Sequence, residues 1–300
     1  MRSIIVGMLA HVDSGKTTLS EAMLYTSGSL RQLGRVDQGT TFLDYDPQER
    51  ERGITIYAKE AFFTWNDEEI TLLDTPGHVD FSSEMERTLQ VLDAAVLIIS
   101  ATAGVQAHTE TIWKLLSHYD IPVFLFVNKM DIAYEDSDVC LRHIQDVLHA
   151  HCLDFTMEKA ALDEEIAMGS DALLEAYMEQ GCIEDALICE AVMRKQVVPC
   201  YFGSALRLQG VKELLDGICR YTKEKQYGEE FAAQVYKISH DTQGNRLTHL
   251  KLNGGVLQAK QVIEGEKIDQ IRRYHGNRYE VVGELSKGHV CAIKGWSHIQ

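Results

Sequence analysis

The stretch AHVDSGKTT, residues 10–18, decides the fold of the first part of the chain. It follows the apolar run IIVGML at 4–9, and a segment of helical periodicity begins inside it and continues through 16–27. An apolar run too continuous to alternate predicts a buried strand, whereas the periodic segment predicts a helix. A strand, a tight loop containing Gly15 and a helix therefore open the chain, and these three elements form the first unit of an α/β fold.

Residues 10–17 match the pattern G-x-x-x-x-G-K-[ST], except that Ala10 stands where the first glycine is usual. Loops of this pattern turn successive backbone N–H groups inward at the positive end of the following helix, where they bind phosphate. We expect Lys16 to reach the β- and γ-phosphates of a nucleotide and Thr17 to place its hydroxyl on Mg²⁺. The residues predicted to surround the phosphates are Ala10, His11, Val12, Asp13, Ser14, Gly15, Lys16, Thr17 and Thr18.

The alternation of apolar runs and helical patterns continues through residue 130. Buried strands are predicted at 4–9, 70–73, 95–100 and 123–127, and helices at 16–27, 81–92 and 107–119. Strands and helices in alternation predict a mostly parallel sheet with helices on both faces. A further strand at 54–64 is expected to run antiparallel to its neighbour, through a turn at Asn66-Asp67.

The sequence changes character twice beyond this region. Residues 132–195 predict an acidic helical insert without strands. A last strand at 197–202 and a closing helix at 211–220 follow, so the first domain, an α/β domain with a phosphate loop, is expected to span 1–225. From 229 to 300, short alternating segments separated by Gly- or Asn-containing turns predict a small antiparallel β-barrel as the second domain.

Composition and charge argue against several classes of function. The chain is 45% hydrophobic and 25% charged, as in ordinary soluble proteins, and no apolar run approaches the ~20 residues that span a membrane. Seven cysteines without a CxxC pair fit the reduced thiols of a cytoplasmic protein. The net charge of −16 argues against binding to free nucleic acid. Most of the excess acid lies in 131–190, which holds sixteen Asp and Glu against Arg142 and Lys159.

The stretch NKMD at 128–131 distinguishes between nucleotides, and it lies at a strand end because it follows the apolar run at 123–127. A carboxylate at Asp131 can accept two hydrogen bonds from guanine, whereas adenine lacks that donor pair and would leave the carboxylate unpaired. Asn128 is expected to brace the loop, and the stem of Lys129 to cover one face of the base. This combination predicts GTP and GDP, rather than ATP, as ligands.

The stretch GSAL at 203–206 supports the same assignment because it also follows a predicted strand. A backbone N–H in this loop is expected to meet guanine O6. The residues predicted to line the base there are Ser204, Ala205 and Leu206. NKxD and GSAL each occur by chance in surface turns, but their order and their places at two strand ends favour guanine recognition.

Two further stretches supply candidates for hydrolysis. Asp74 ends an apolar strand, where a carboxylate can hold Mg²⁺, and Gly77 can bring its N–H close to a γ-phosphate because it has no Cβ. His78 follows, where a group is needed to orient the attacking water. Thr55 is expected to coordinate Mg²⁺ and to touch the γ-phosphate. Taken singly, His78 could be an ordinary loop histidine and Thr55 an ordinary strand residue. The predicted metal ligands are Thr17, Thr55 and Asp74.

Five motifs in a fixed order, HVDSGKTT, RGITI, DTPGHVDF, NKMD and GSAL, resemble those of the translational GTPases. The longer stretch YTSGSLRQLGRVDQGTTFLDYDPQERERGITI is similar to elongation factor G and its relatives. The modest helical insert between Asp131 and Gly203 is similar to that of the ribosomal protection proteins of tetracycline resistance, and the tail resembles their barrel-forming second domain. The chain stops at Gln300 without a turn or cap, so we expect an N-terminal fragment truncated in or after a strand.

The resemblance implies a ribosome-dependent GTPase that hydrolyses GTP to GDP and phosphate and switches conformation on the ribosome. It implies that His78 aligns the hydrolytic water once a large-subunit RNA loop fixes its position. It also implies that Val12 and Ile54 flank His78 as an apolar gate and that Asp13 helps to bind a monovalent cation. The candidate catalytic residues are His78, Thr55, Lys16, Val12 and Ile54. The second domain is expected to contact the small subunit, and the protein to act as a cytoplasmic monomer.

Several functions are compatible with the sequence. The preferred one is a ribosomal protection protein of tetracycline resistance, and an elongation factor G-like translation factor is the nearest alternative. A guanine-nucleotide switch with a non-ribosomal partner is another, although a protein that only binds has no use for a water-orienting residue at His78. A phosphate-loop ATPase is the last alternative, and Asp131 and the GSAL loop argue against it.

Overall fold

The structure is a computed structural model that describes residues 1–43, 59–75, 82–241, 243–263 and 265–296, with only the backbone at Asp37 and 82–84. The predicted strand residues 54–58 and four predicted site residues lie outside these ranges. Those site residues are Ile54, Thr55, Gly77 and His78.

A seven-stranded sheet forms the centre of the first region of the chain. Its strands are β1 (Ser3–Ala10), β2 (Lys59–Trp65), β3 (Glu68–Asp74), β4 (Ala94–Ser100), β5 (Val123–Asn128), β6 (Cys152–Asp154) and β7 (Val198–Phe202). The strand order is β2-β3-β1-β4-β5-β7-β6, and every neighbouring pair is parallel except β2 and β3. The prediction of a mostly parallel sheet is confirmed. We call β1–β7 with their helices the parallel-sheet region.

Helices cover both faces of this sheet because successive side chains of a strand point to opposite faces. The helices of the described residues are α1 (Lys16–Thr26), α2 (Ser82–Leu89), α3 (Ala107–His118), α4 (Ser137–Leu148), α5 (Lys159–Ala167), α6 (Asp171–Gln180), α7 (Asp185–Met193) and α8 (Val211–Tyr221). On β1, Ile4, Val6 and Met8 join a core with α1 and α5–α8, whereas Ile5 and Leu9 join a core with α2–α4. None of these helices has the length and apolar character needed to cross a membrane.

The predicted antiparallel hairpin at the sheet edge is confirmed within the described residues. Trp65 pairs with Glu68, so only Asn66 and Asp67 form the turn. Both turn residues adopt positive φ angles, 47° and 61°, as required in the two-residue turns that match the twist of paired strands.

The prediction that 132–195 contains no strand is wrong at one point. Helices α4–α7 fill most of the segment, but β6 pairs with β7 in parallel, with Cys152 opposite Val198 and Asp154 opposite Cys200. Three residues are too few to show a period, so this edge strand owes its conformation to its pairing with β7. Cys152 is buried within it.

The second region of the chain consists of antiparallel strands, as predicted. They are β8 (Ala232–His240), β9 (Arg246–Gly254), β10 (Val256–Gln258), β11 (Val262–Ile263), β12 (Glu266–Lys267), β13 (Gln270–His275), β14 (Arg278–Val282), β15 (Glu284–Ser286) and β16 (Val290–Lys294). Five form a sheet in the order β14-β13-β16-β9-β8. Strand β10 pairs with β15, and strand β11 pairs with β12, in two separate two-stranded ribbons. Leu250, Leu252, Ile271 and Ile293 are among the residues of its own core. We call β8–β16 the antiparallel region.

Strand β9 joins the two regions through its other face. Leu250 points into the antiparallel core, whereas His249 and Lys251 point towards the parallel-sheet region and are also buried. Lys251 Nζ donates to Asp93 Oδ1 at 2.7 Å, in the turn between α2 and β4. His249 Nδ1 lies 2.7 Å from Glu60 Oε1 on β2. The two regions therefore share buried, charged contacts rather than a thin linker alone.

Candidate nucleotide-binding site

The predicted site residues gather at one edge of the parallel sheet. The carboxyl ends of parallel strands face the same side, and ligands of open α/β sheets bind in the crevice beyond them. The loops that follow β1, β5 and β7 meet the end of β3 at this edge, and they carry the described residues of four motifs. Strand pairing brings the first two together, because Met8 of β1 lies opposite Asp74 of β3.

Gly15 is the residue on which the phosphate loop turns into α1. Its φ angle of 94° is left-handed, and it is the N-cap of the helix that Lys16 begins. A Cβ at this position would lie 2.3 Å from Asn128 Nδ2. Glycine is therefore needed twice, for the backbone angle and for the approach of Asn128. Asp13 also has a positive φ, 62°, two residues earlier.

Lys16 and Asp74 form a buried ion pair between the first two loops. Lys16 Nζ lies 2.5 Å from Asp74 Oδ1, and the residues are 8% and 0% exposed. Thr75 reinforces this junction, since its hydroxyl donates to Met8 O at 2.7 Å. The structure thus brings the predicted phosphate-binding lysine and the predicted metal-binding carboxylate into contact. Asp74 supplies a carboxylate, and Thr17, which directly follows Lys16, supplies a hydroxyl. These are hard oxygen donors, which fit Mg²⁺.

Asn128 connects three loops with one side chain. Its Nδ2 donates to Ser14 O in the phosphate loop at 2.9 Å. Its Oδ1 accepts from the backbone N–H groups of Lys129 and Ala205, both at 2.9 Å. Because all of the amide's bonds run to backbone, the relative positions of these loops depend on an asparagine here.

Lys129 lies along the same junction. It adopts a positive φ of 66°, and its Nζ donates to Asp13 O at 2.6 Å. Its stem consequently runs from the NKMD loop to the phosphate loop. The structure places the predicted base-covering lysine between the two loops that a nucleotide would span.

The GSAL loop closes the far side of the site. Met130 N–H donates to Gly203 O at 3.0 Å, so this loop is bonded to the NKMD loop in addition to the contact at Asn128. Ser204 and Ala205 are buried, whereas Leu206 is exposed. The structure therefore brings the two stretches predicted to read the base into direct contact.

Two residues at the site were not predicted from sequence. Arg207 Nε lies 3.0 Å from Asp131 Oδ2, and the only sequence signal was a cation directly after GSAL. His108 of α3 has its ring 6.0 Å from that of His11 in the phosphate loop. No sequence pattern connects two histidines ninety-seven positions apart.

The predicted site residues Val12 and Thr18 lie in or beside the phosphate loop and are partly exposed.

Comparison with known proteins gives one matching family, described as the elongation factor Tu GTP-binding domain, over residues 1–224. Elongation factor G 2 of Desulfotalea psychrophila is 31% identical over 97% of this chain and 53% of its own. Tetracycline resistance protein TetM of Enterococcus faecalis is 37% identical over 96% of this chain and 48% of its own, and TetO of Campylobacter jejuni 35% identical over 91% and 46%.

A solved structure agrees with this match. The crystal structure of a protein from Thermus thermophilus superposes with a TM-score of 0.86 and 26% identity, over 98% of this chain and 52% of the other. The chain thus spans about half the length of the relatives it matches. The family match covers most of the chain, and it lies over the loops assembled above. The chain belongs to the family of the elongation factor Tu GTP-binding domain, and with it to the translational GTPases.

Proposed function

We propose that this edge of the sheet binds GTP and GDP and hydrolyses GTP in the presence of Mg²⁺. The observation that carries the proposal is the position of Asn128, which bonds the phosphate loop, the NKMD loop and the GSAL loop together. A site that recognises both phosphate and base needs those elements held at a fixed separation. Pre-organised groups lose little freedom when the ligand binds.

Each described residue has a proposed role. The phosphate-loop N–H groups and Lys16 bind the phosphates, for which Lys16 exchanges its contact with Asp74. Thr17 and Asp74 hold Mg²⁺, which would neutralise charge on the phosphate oxygens. Asp131 accepts the two donors of guanine, and a backbone N–H of the GSAL loop meets its O6. Lys129 covers one face of the base.

The hydrolytic step is assigned mainly to His78, Thr55 and Ile54, which lie outside the described ranges. His78 orients the attacking water, and Thr55 completes the Mg²⁺ shell next to the γ-phosphate. Val12 and Ile54 flank His78, and Asp13 contributes to a monovalent cation site. These roles rest on the motif order in the sequence and on the family to which the chain belongs.

The ribosome is the proposed activator and partner. Relatives of this chain are elongation factors and tetracycline resistance proteins, and translation factors of this kind act on ribosomes. We assign 1–225 to a GTP-binding domain that meets the large subunit and 229–300 to a second domain that meets the small subunit. The protein acts as a monomer in this proposal.

Within this family we prefer a ribosomal protection protein of tetracycline resistance. The identities of 37% with TetM and 35% with TetO, against 31% with elongation factor G 2, support that choice. An elongation factor G-like factor is the alternative. The two differ in one measurable activity: a protection protein releases radiolabelled tetracycline from ribosomes when GTP is present, and an elongation factor does not.

The base-recognition part of the proposal is tested with Asp131→Asn. An amide cannot accept both guanine donors, but it can donate to the carbonyl that xanthine carries in place of the amine. We expect GTP affinity to fall by about 100-fold or more and XTP to be preferred. Equilibrium competition against labelled GDP measures both. An Asp131→Asn chain that kept wild-type affinity for GTP would remove Asp131 from the site.

A further inference from the structure

Arg207 lies in a loop whose shape is fixed by its own backbone. Ser204 N–H donates to Gln209 O at 3.1 Å, and Gln209 N–H donates to Ser204 O at 3.0 Å. A Cβ at Gly203 would lie 2.0 Å from Gln209 O, so only glycine permits this closure. The loop therefore presents the 3-10 turn Ala205–Arg207 in one orientation.

The same turn is held against the loop that carries Asp131. Ala205 N–H donates to Asn128 Oδ1 at 2.9 Å. Two residues further on, Arg207 Nε lies 3.0 Å from Asp131 Oδ2. The Asp131 side chain is 11% exposed and that of Arg207 is 61% exposed, so the guanidinium approaches the carboxylate from the solvent side.

This contact leaves the carboxylate able to accept further hydrogen bonds. An ionised carboxylate offers about four lone-pair positions, and the contact of Arg207 Nε with Oδ2 takes up one of them. A carboxylate that nothing holds rotates broadly about its last torsion. A cation on one oxygen limits that rotation, so less freedom is lost when a ligand engages the remaining positions.

We propose that Arg207 is a positioning residue for base recognition: its guanidinium orients the Asp131 carboxylate towards the N1–H and the exocyclic amine of guanine. The inference rests on the proposed function, because it takes Asp131 as the group that reads the base. Arg207 acts through Asp131 and makes no contact with the base itself.

The test measures the dissociation constant of methylanthraniloyl-GDP by fluorescence titration with Mg²⁺ present. Arg207→Ala should weaken binding by about 2- to 10-fold, and Arg207→Lys should weaken it less because it keeps the charge. The matched control is Arg220→Ala. Arg220 lies on α8, is half-exposed, carries the same charge as Arg207 and forms its own ion pair with Asp185. The affinity of Arg220→Ala should equal that of the wild type. At roughly 0.5 M salt, the loss of GDP affinity in Arg207→Ala relative to the wild type should be smaller, because salt screens an exposed ion pair.

A second measurement separates positioning from a structural defect. In the Asp131→Asn background, where there is no carboxylate to orient, Arg207→Ala should leave the affinity for labelled XDP unchanged. The proposal is overturned by an unaffected Arg207→Ala chain, by an equal loss in Arg220→Ala, or by a loss that persists in the Asp131→Asn background. A wild-type chain that bound no GDP would overturn the proposed function too, so the two failures are distinguishable.

Discussion

At the scale of single residues, Gly15 links backbone conformation to the proposed chemistry. It has a left-handed φ, and its missing Cβ makes room for Asn128, which positions two of the other loops. Gly28 has a similar φ of 80°, but a Cβ there would meet nothing within 4 Å. Alanine at Gly28 would therefore meet only backbone strain, whereas alanine at Gly15 would meet both backbone strain and a steric clash with Asn128.

Gly15→Ala should lower GDP affinity by about 10-fold or more, because it displaces Asn128 as well as straining the backbone. Gly28→Ala should lose only about 1–2 kcal/mol of folding free energy and keep its GDP affinity. Calorimetric titration with GDP and urea unfolding measure the two quantities. Equal GDP affinities in the two variants would refute the role given to Gly15.

Glu60 is a second residue whose environment has a measurable consequence. Burial raises the pKa of its carboxyl, but the charge of His249 and hydrogen bonds from His249 and Tyr236 outweigh burial and hold the pKa below the ordinary 4.5. A carboxyl with a lowered folded-state pKa contributes stability that is present above its unfolded pKa and is lost as the pH falls through the folded pKa.

We therefore expect Glu60→Gln to be about 1–3 kcal/mol less stable than the wild type at pH 7, because it loses charge-assisted hydrogen bonds in a buried site. The gap should narrow as the pH falls from the ordinary pKa of 4.5 through the lowered pKa of the folded wild-type carboxyl. Urea unfolding of both proteins between neutral and acidic pH gives this profile. A gap that is independent of pH would show that the charge on Glu60 contributes nothing.

At the scale of elements, β9 holds the antiparallel region against the parallel sheet. Besides Asp93, Lys251 Nζ donates to Val91 O at 2.9 Å. Burial lowers the pKa of Lys251, and the neighbouring Asp93 opposes that shift. Lys225 Nζ also lies 3.0 Å from Asp93 Oδ1. The other carboxylate oxygen, Asp93 Oδ2, accepts a hydrogen bond from Ile5 N–H at 2.9 Å. The turn before β4 is thus bound by both regions of the chain.

Lys251→Met should destabilise the protein by about 1–3 kcal/mol, because it leaves the buried Asp93 with Lys225 as its remaining lysine partner. Lys260→Met is the matched control: that lysine is 62% exposed and lies 4.0 Å from Asp269, so its loss should change stability by no more than about 0.5 kcal/mol. Urea unfolding compares them. Equal stabilities would mean that the β9 contact adds nothing to the fold.

The elements differ in how far the sequence predicts them. The apolar runs at 95–100 and 123–127 are long enough to show strand character, and they form β4 and β5. The three-residue strand β6 has no period of its own, and its partner lies forty-six positions away, since Cys152 pairs with Val198. The contacts of β9 with Glu60 and Asp93 also depend on tertiary packing, which local patterns do not encode.

The sequence likewise predicts some features of the candidate site and not others. The loops follow predicted strands, so their gathering at one edge could be anticipated from the parallel topology. The contact of Arg207 with Asp131 could not, because it depends on how the GSAL loop closes on Gln209. The roles of His78 and Thr55 stay predictions, since both residues lie outside the described ranges.

At the scale of the whole molecule, the chain combines a nucleotide-binding region with an antiparallel region that is anchored near it. Tyr236 and Val290 of the antiparallel region are buried in a core of the parallel sheet. Strand β9 contacts both β2 and the turn after α2. This burial, shared between the two regions, holds them against each other.

We propose that this protein is a GTPase that the ribosome activates. The measurement that tests it most directly is the rate of phosphate release from GTP by the whole protein, with and without purified 70S ribosomes and with ATP as the control nucleotide. We expect a slow rate alone, a stimulation of about 1,000-fold or more with ribosomes and GTP, no stimulation with ATP, and its loss in His78→Ala. Tight GDP binding without any stimulation by ribosomes would contradict the claim and would favour a guanine-nucleotide switch with another partner.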